Sequence, residues 1–252
     1  MPHPLRASAL AVRARAHAPY SRQPVGVALG LGSGRWVAAP RIESASYPLT
    51  ISALQAAWAL AAPLRDAIVA AASSRPITPG ELAFLDAATG RAWTLDAPDL
   101  AACDDAPAWT SAVPVEPSGP APSTDADALA SARDVARQAV VPASGFRVGA
   151  VAIDANGRWV TGVNVEHPAD WTRGLCAERS ALVAARVAGL GRIARIVLAC
   201  PSAPGATPCG GCRQLVAEQA PDAQIALWAG GDAARVVTPL DLLPGAFTGD
   251  AL

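Results

Sequence analysis

The chain contains no lysine: all 20 of its basic residues are arginine, set against 21 acidic ones for a formal charge of −1. The arginines form no stripe, so a polyanion would find no electrostatic footprint, and that counts against a nucleic-acid enzyme. Also missing is any stretch of about 20 apolar residues, so no membrane span is expected. The alanine-rich segment Ala56 to Ala72 is interrupted by Pro63, Arg65 and Asp66. Met1 to Leu10 has two prolines and no apolar run long enough for a signal core, so no leader is expected. Cysteines are few and odd in number, five in all, which excludes a complete set of disulfide pairs. Three of them fall in metal-ligand spacing, which points to a reducing compartment and to the cytoplasm. What is present is apolar: 52% of 252 residues, enough to bury one large core or two small ones.

Val113-Pro-Val-Glu-Pro-Ser-Gly-Pro-Ala-Pro-Ser-Thr124 reads as a semi-extended linker between two units. A repeat lies across it. Pro19-Tyr-Ser-Arg-Gln-Pro-Val-Gly26 lines up with Pro142-Ala-Ser-Gly-Phe-Arg-Val-Gly149, and the same spacing carries Glu43 onto Glu166. After one inserted residue, Ser52-Ala-Leu-Gln55 meets Cys176-Ala-Glu-Arg179. The expected organisation is a tandem duplication: residues 1–112, a linker at 113–124, and residues 125–252. Each half reads as helix, hairpin, helix, then strands alternating with a helix. In the second half helices are predicted over Ala126 to Val140, Cys176 to Ala188 (closed by Gly189) and Cys212 to Gln219 (stopped by Pro221). Strands are predicted over Val148 to Ile153, Arg158 to Val165 after the Asn156-Gly157 turn, Ile193 to Cys200 and Ile225 to Trp228. The fold class is α/β, a sandwich with two helices on one sheet face.

The chemistry gathers on Cys176, with Glu178 two positions on, and on Cys209 and Cys212 in Pro208-Cys-Gly-Gly-Cys-Arg213. Cys209 and Cys212 stand three apart at a helix start, so their sulfurs face one way. Helix N-termini favour thiolates, the form a metal needs. Three thiolates leave one tetrahedral position of Zn²⁺ open, as hydrolytic sites require. A structural zinc closed by a fourth ligand, or three simply buried cysteines, would also fit the sulfurs, but neither uses Glu178. Beside the metal without ligating it, that carboxylate can take a proton from water and pass it to a leaving amine. Zn²⁺ with three thiolates carries a formal charge of about −1, which a neighbouring cation would offset. Arg179 is placed for that role, or is a surface arginine.

Over nearly its full length the second half resembles a cytidine deaminase of the small three-cysteine type. The resemblance is carried by Ser144-Gly-Phe-Arg-Val-Gly149, Gly162-Val-Asn-Val-Glu166, Cys176-Ala-Glu-Arg179, Pro208-Cys-Gly-Gly-Cys-Arg-Gln214 and Leu242-Leu-Pro-Gly-Ala-Phe247. It implies a cytidine-deaminase-like α/β/α sandwich in two tandem copies, with one zinc per chain in the C-terminal half. It further implies that Asn164 and Glu166 hold the ribose hydroxyls, or else form an ordinary strand end. Phe146 would pack against the pyrimidine and Phe247 stack on a base, unless either is a core residue. The Ala177 N–H and the Thr207 carbonyl would read the ring edge and the leaving amine. The reaction implied is hydrolytic deamination of cytidine or deoxycytidine, in a homodimer that makes a pseudo-tetramer of deaminase domains. A deaminase of a modified or antibiotic pyrimidine nucleoside, and a zinc-containing nucleoside-binding module without turnover, stand as alternatives. Cys200, ending an apolar strand, reads as core, and Cys103 has no ligand partner in sequence.

Two departures matter. Where the family commonly has asparagine-alanine-x-tyrosine after the sugar-binding glutamate, the second half has His167-Pro-Ala-Asp-Trp171, which bears on substrate choice. His167 would touch ligand there or be solvated in a loop. The front half has lost the chemistry: Ser52 stands where the first ligand belongs, Leu54 where the glutamate belongs, and no Cys-x-x-Cys follows. Yet it retains Glu43-Ser-Ala-Ser-Tyr47-Pro-Leu-Thr50, and the family uses such a segment in a neighbour's active site. Ala45 and Tyr47 are therefore expected to complete the catalytic site, or Tyr47 merely caps the core of its own half.

Overall fold

The computed structural model describes residues 3–104, 107–118, 122 and 124–249. Of the expected linker, Gly119, Pro120, Ala121 and Ser123 lie outside the described residues; so do Met1, Pro2, Asp105 and Ala106 of the expected first domain and Asp250, Ala251 and Leu252 of the second. The chain divides into two compact units. The first comprises Met1–Glu43, Ile51–Pro114 and His167–Gly174; the second comprises Ser44–Thr50, Val115–Glu166 and Leu175–Leu252. Each unit thus contains one short segment drawn from the other half of the sequence.

In the first unit, α1 (Pro4–Arg13) starts with proline in its first turn and buries Leu5, Ala9 and Val12, the i, i+4, i+7 stripe of one helix face. It packs on the hairpin of β1 (Gly26–Leu31) and β2 (Arg35–Pro40). Helix α2 (Ala53–Ala61) begins with a capping box: Ser52 Oγ accepts from Gln55 N (3.1 Å), and Gln55 Oε1 accepts from Ser52 N (3.3 Å). After β3 (Ile68–Ser73) and α3 (Pro79–Thr89) come β4 (Thr94–Ala97), β5 (Leu100–Ala102) and β6 (Ser111–Ala112), giving the order β4-β5-β3-β1-β2-β6. Here β5 runs antiparallel beside β3, because the β4–β5 hairpin delivers it inverted.

The second unit repeats the start of this plan. Helix α4 (Asp125–Val135) is opened by a Thr124–Asp127 capping box and lies on one sheet face, where Leu129 and Ala132 meet Val151, Val197 and Ala226. Strands β7 (Gly149–Asp154) and β8 (Trp159–Val163) form a hairpin turned at Gly157, whose φ of 78° suits glycine. Helix α5 (Ala177–Ala188) ends at Gly189 in the left-handed region and packs on β8 and β7. Strand β9 (Ile193–Ala199), α6 (Gly210–Gln219) and β10 (Gln224–Gly230) make a parallel crossover; β11 (Ala233–Val237) closes the edge and α7 (Pro239–Leu242) packs on α6. The order is β11-β10-β9-β7-β8. Helix α6 begins before the expected Cys212, so Cys209 caps it and Cys212 lies inside its first turn. Cys200 is buried, as a core residue should be.

The α5–β8 contact is close enough to be tested. A Cβ on Gly162 would stand 2.2 Å from Ala181 N and 2.6 Å from Ala177 O, both rigid helix backbone. Gly162→Ala should therefore lever α5 off the sheet and cost about 1–3 kcal/mol, read as a lower denaturant midpoint. Unchanged stability would mean that α5 does not sit this close.

Candidate active site

Two helix starts bring the three cysteines together. Cys176 is the N-cap of α5 and Cys209 the N-cap of α6, and the Sγ atoms of Cys176, Cys209 and Cys212 all lie within 4.8 Å of one another. The contrast with the front half is local and physical. Ser52 uses its hydroxyl to cap α2, whereas Cys176 makes no side-chain cap bond. Unpaired N–H groups at a helix start favour an anion such as a thiolate.

The sulfurs fit a tetrahedral divalent ion. Two thiolates on zinc, each about 2.3 Å from it, stand about 3.8 Å apart; Cys176 and Cys209 are separated by 3.7 Å. Thiol hydrogen bonds from Cys176 and Cys212, helped by the Gly211 and Cys212 N–H groups, hold Cys209 well below its ordinary pKa. The same bond to Cys209 pushes Cys176 up to about 12, and Cys212 rises with it. A cation bound by all three sulfurs would displace the protons their thiols carry. The chemistry of the donor set is that of one zinc site. Beside it Glu178 is 4% exposed, and burial pushes its carboxyl up to about 7. A carboxylic acid poised near neutrality can both accept and return a proton.

The loop carrying Phe146 is held from below. Asn164 Oδ1 accepts from Val148 N (2.8 Å), and its Nδ2 donates to Phe146 O (2.7 Å). Glu166 accepts from Ala143 N (2.9 Å), Ser144 N (3.1 Å) and the Ser144 hydroxyl. Burial opposes its ionisation, but the Ser144 hydroxyl and the two N–H groups hold its carboxyl below the usual range. In the front half Glu43 binds Tyr20 N, Ser21 N and the Ser21 hydroxyl in the same way, and Arg41 donates to Gln23 O as Asn164 does to Phe146 O. The clasp therefore has a structural job that outlasts the lost ligands. Phe146 and Phe247 are 41% and 51% exposed, so neither is a core residue. Ala177 is fully buried at the start of α5, and Thr207 is exposed in the loop before Cys209.

The two exchanged segments are anchored in parallel ways. In the second unit Arg179 Nη2 donates to Leu49 O (3.0 Å), and Leu49 Cδ2 lies 3.0 Å from where a Gly211 Cβ would stand, between the cysteines of α6. In the first unit Gln55 Nε2 donates to Arg173 O (3.2 Å). Arg179 and Gln55 are repeat partners, so Arg179 is no free surface arginine: it anchors the segment. Ala45 is buried and Tyr47 is 84% exposed, so Tyr47 caps no core. The reading of His167 as a ligand contact or a solvated residue is corrected. It is 3% exposed in the first unit, tilted against Trp58 and Phe84, with Nε2 3.3 Å from Phe84 O and Nδ1 accepting from Ala169 N and Asp170 N.

Sequence reasoning gave no role to Arg213 or Gln214. Arg213 clamps the loop before the cysteines, through Pro208 O (2.8 Å) and Thr207 Oγ1 (2.9 Å), and reaches Leu242 O (3.1 Å). Gln214 Nε2 donates to Phe247 O (2.6 Å) and to Glu218 Oε1 (2.6 Å). The spacing of Gln214 and Glu218, one turn apart on a helix face, was a signal for the last of these bonds.

Residues 122–227 match the family described as cytidine and deoxycytidylate deaminase zinc-binding region, and residues 2–71 match a second family of the same description. A cytidine deaminase of Halalkalibacterium halodurans is 36% identical over 113 residues, 44% of this chain and 85% of that protein. One of Mycobacterium tuberculosis is 38% identical over 130 residues, 48% of this chain and 88% of that protein. A crystal structure of cytidine deaminase from Burkholderia pseudomallei is 34% identical, covers 49% of this chain and 99% of that chain, and has a TM-score of 0.47. This chain belongs to the cytidine deaminase family, as a tandem duplication with matches in both halves.

Proposed function

We propose that the protein hydrolyses free cytidine or deoxycytidine to the uridine product and ammonia. The observation that carries this is the buried Glu178 set against three converging cysteines at two helix N-termini. Cys176, Cys209 and Cys212 would hold the zinc, which when bound activates a water toward C4 of the pyrimidine. Glu178 takes the water proton and delivers it to the amine, so that a C–O bond replaces the C–N bond and ammonia leaves. Asn164 and Glu166 orient the ribose: the Glu166 carboxylate has about four acceptor directions and uses three, so a sugar hydroxyl can still be received. Phe146 packs on the ring, Phe247 stacks on a base, and the Ala177 N–H with the Thr207 carbonyl read its edge.

The catalytic domain is residues 125–252, joined through 113–124 to a non-catalytic 1–112. What supports this division is Ser52 and Leu54 in place of ligand and base. Ala45 and Tyr47 complete the site, within the chain or from the partner in a homodimer, and the free cysteines suit a cytoplasmic enzyme. Among the described residues no helix is long and apolar enough to cross a membrane. The altered His167 segment belongs to the first unit.

Ammonia release measured over free nucleosides, bases and nucleotides tests the reading. Release from cytidine or deoxycytidine is expected; turnover confined to bases or nucleotides would refute it. Tyr47→Phe should lower kcat/KM about 2- to 12-fold, the worth of one hydrogen bond, with zinc retained. Wild-type kinetics would remove Tyr47 from the site.

A further inference from the structure

We propose that Glu218 is a positioning residue for the reaction: it fastens the segment Ser44–Thr50 to α6, the helix that begins at the metal cysteines. This rests on the reading that Ala45 and Tyr47 complete the site. Glu218 Oε2 accepts from Ala45 N (2.9 Å), and Oε1 accepts from Ser44 Oγ (2.8 Å) and from Gln214 Nε2 (2.6 Å). The same Gln214 nitrogen donates to Phe247 O (2.6 Å). One carboxylate thereby ties together both ends of what is expected to surround the substrate. The segment braces itself on this anchor, since Ser46 N donates to Ser44 Oγ (3.1 Å) and Ser44 N to Thr50 Oγ1 (3.2 Å).

The two anchors flank Tyr47. Glu218 on α6 holds the segment before it, and Arg179 on α5 holds Leu49 after it. Both helices start at zinc-binding cysteines, so the position of Tyr47 is referred to the metal from two sides. Among the described residues, no carboxylate from another element bonds the exchanged segment of the first unit. There His167, the repeat partner of Ser44, bonds a neutral carbonyl of α3 and packs among aromatics. The charged anchor therefore belongs to the unit that keeps its chemistry. Hydrogen bonds to an ionised acceptor are roughly twice as strong as neutral ones, which suits a part that must hold still.

Glu218→Gln supplies the test. An amide offers one acceptor atom where three donors converge, and the Ala45 N–H cannot turn away, so at least one donor is left unpaired. In the full-length zinc enzyme kcat/KM for cytidine should fall about 10- to 100-fold, mostly through KM, with zinc content unchanged. On the Glu218→Gln background Tyr47→Phe should cost nothing further, because the segment is already released. Ser44→Ala removes one donor without burying an unpaired charge and should act in the same direction by about 3-fold or more. It carries the same cycle if Glu218→Gln does not fold. Additive losses would show that Glu218 acts by another route and overturn the proposal. So would wild-type kinetics in Glu218→Gln and Ser44→Ala while Tyr47→Phe is impaired, which leaves the Ala45 and Tyr47 reading standing. Wild-type kinetics in all three would overturn both.

Discussion

Glu178→Gln is expected to keep one zinc per chain and the native fold and to lose about 10² to 10⁴ in kcat, more if one group moves the proton twice. The side chain is 4% exposed at the start of α5, and burial already holds its carboxyl up to about 7. Replacing it with the isosteric amide removes a charge that burial disfavours, so no unfolding should accompany the loss. What disappears is the ability to accept the water proton. Single-turnover rates should fall in step with kcat, placing the defect in chemistry rather than in product release. Turnover within a few-fold of the unaltered enzyme would mean that some other group moves the proton.

Joint replacement of Cys209 and Cys212 by serine is expected to take zinc from one per chain to none and activity to background. The front half indicates why the fold should survive. At Ser52, the repeat partner of Cys176, serine caps its helix well, accepting from Gln55 N. Serine at position 209 can cap α6 in the same way. Metal analysis of the purified protein decides it: zinc retained in the double variant, or a stoichiometry near two in the parent, would refute the assignment of a single site to the second unit.

How much of this was legible in advance varied with the range of the interaction. The duplication was visible because equal spacing recurs over tens of residues, and the elements of the second half fell close to their expected places. Helix α6 starts earlier than its apolar stripe, and it is Cys209 at the cap that marks the start. The burial of His167 is not legible locally, because the neighbours that bury it, Trp58 and Phe84, lie more than 80 residues earlier in the chain. No local pattern in His167-Pro-Ala-Asp-Trp171 records their presence.

The sequence by itself determined the family, the three cysteines that could hold a zinc, the glutamate proposed to carry the proton, and the absence of those residue types from the matching positions of the front half. Cys176 with Glu178, and Cys209 with Cys212, are matters of residue type at short, fixed spacing, where helix geometry leaves few arrangements; the meeting of the two pairs took the fold. Only the tertiary structure decided the reciprocal exchange of Ser44–Thr50 and His167–Gly174, the antiparallel placing of β5, and the meeting of Glu218 with Ser44 and Ala45. Those depend on hydrogen bonds and burial between residues far apart in the chain. Such a partnership is a property of the packed pair: Glu218 reads in the sequence as one more charged residue on a helix, until folding sets the Ala45 N–H against it.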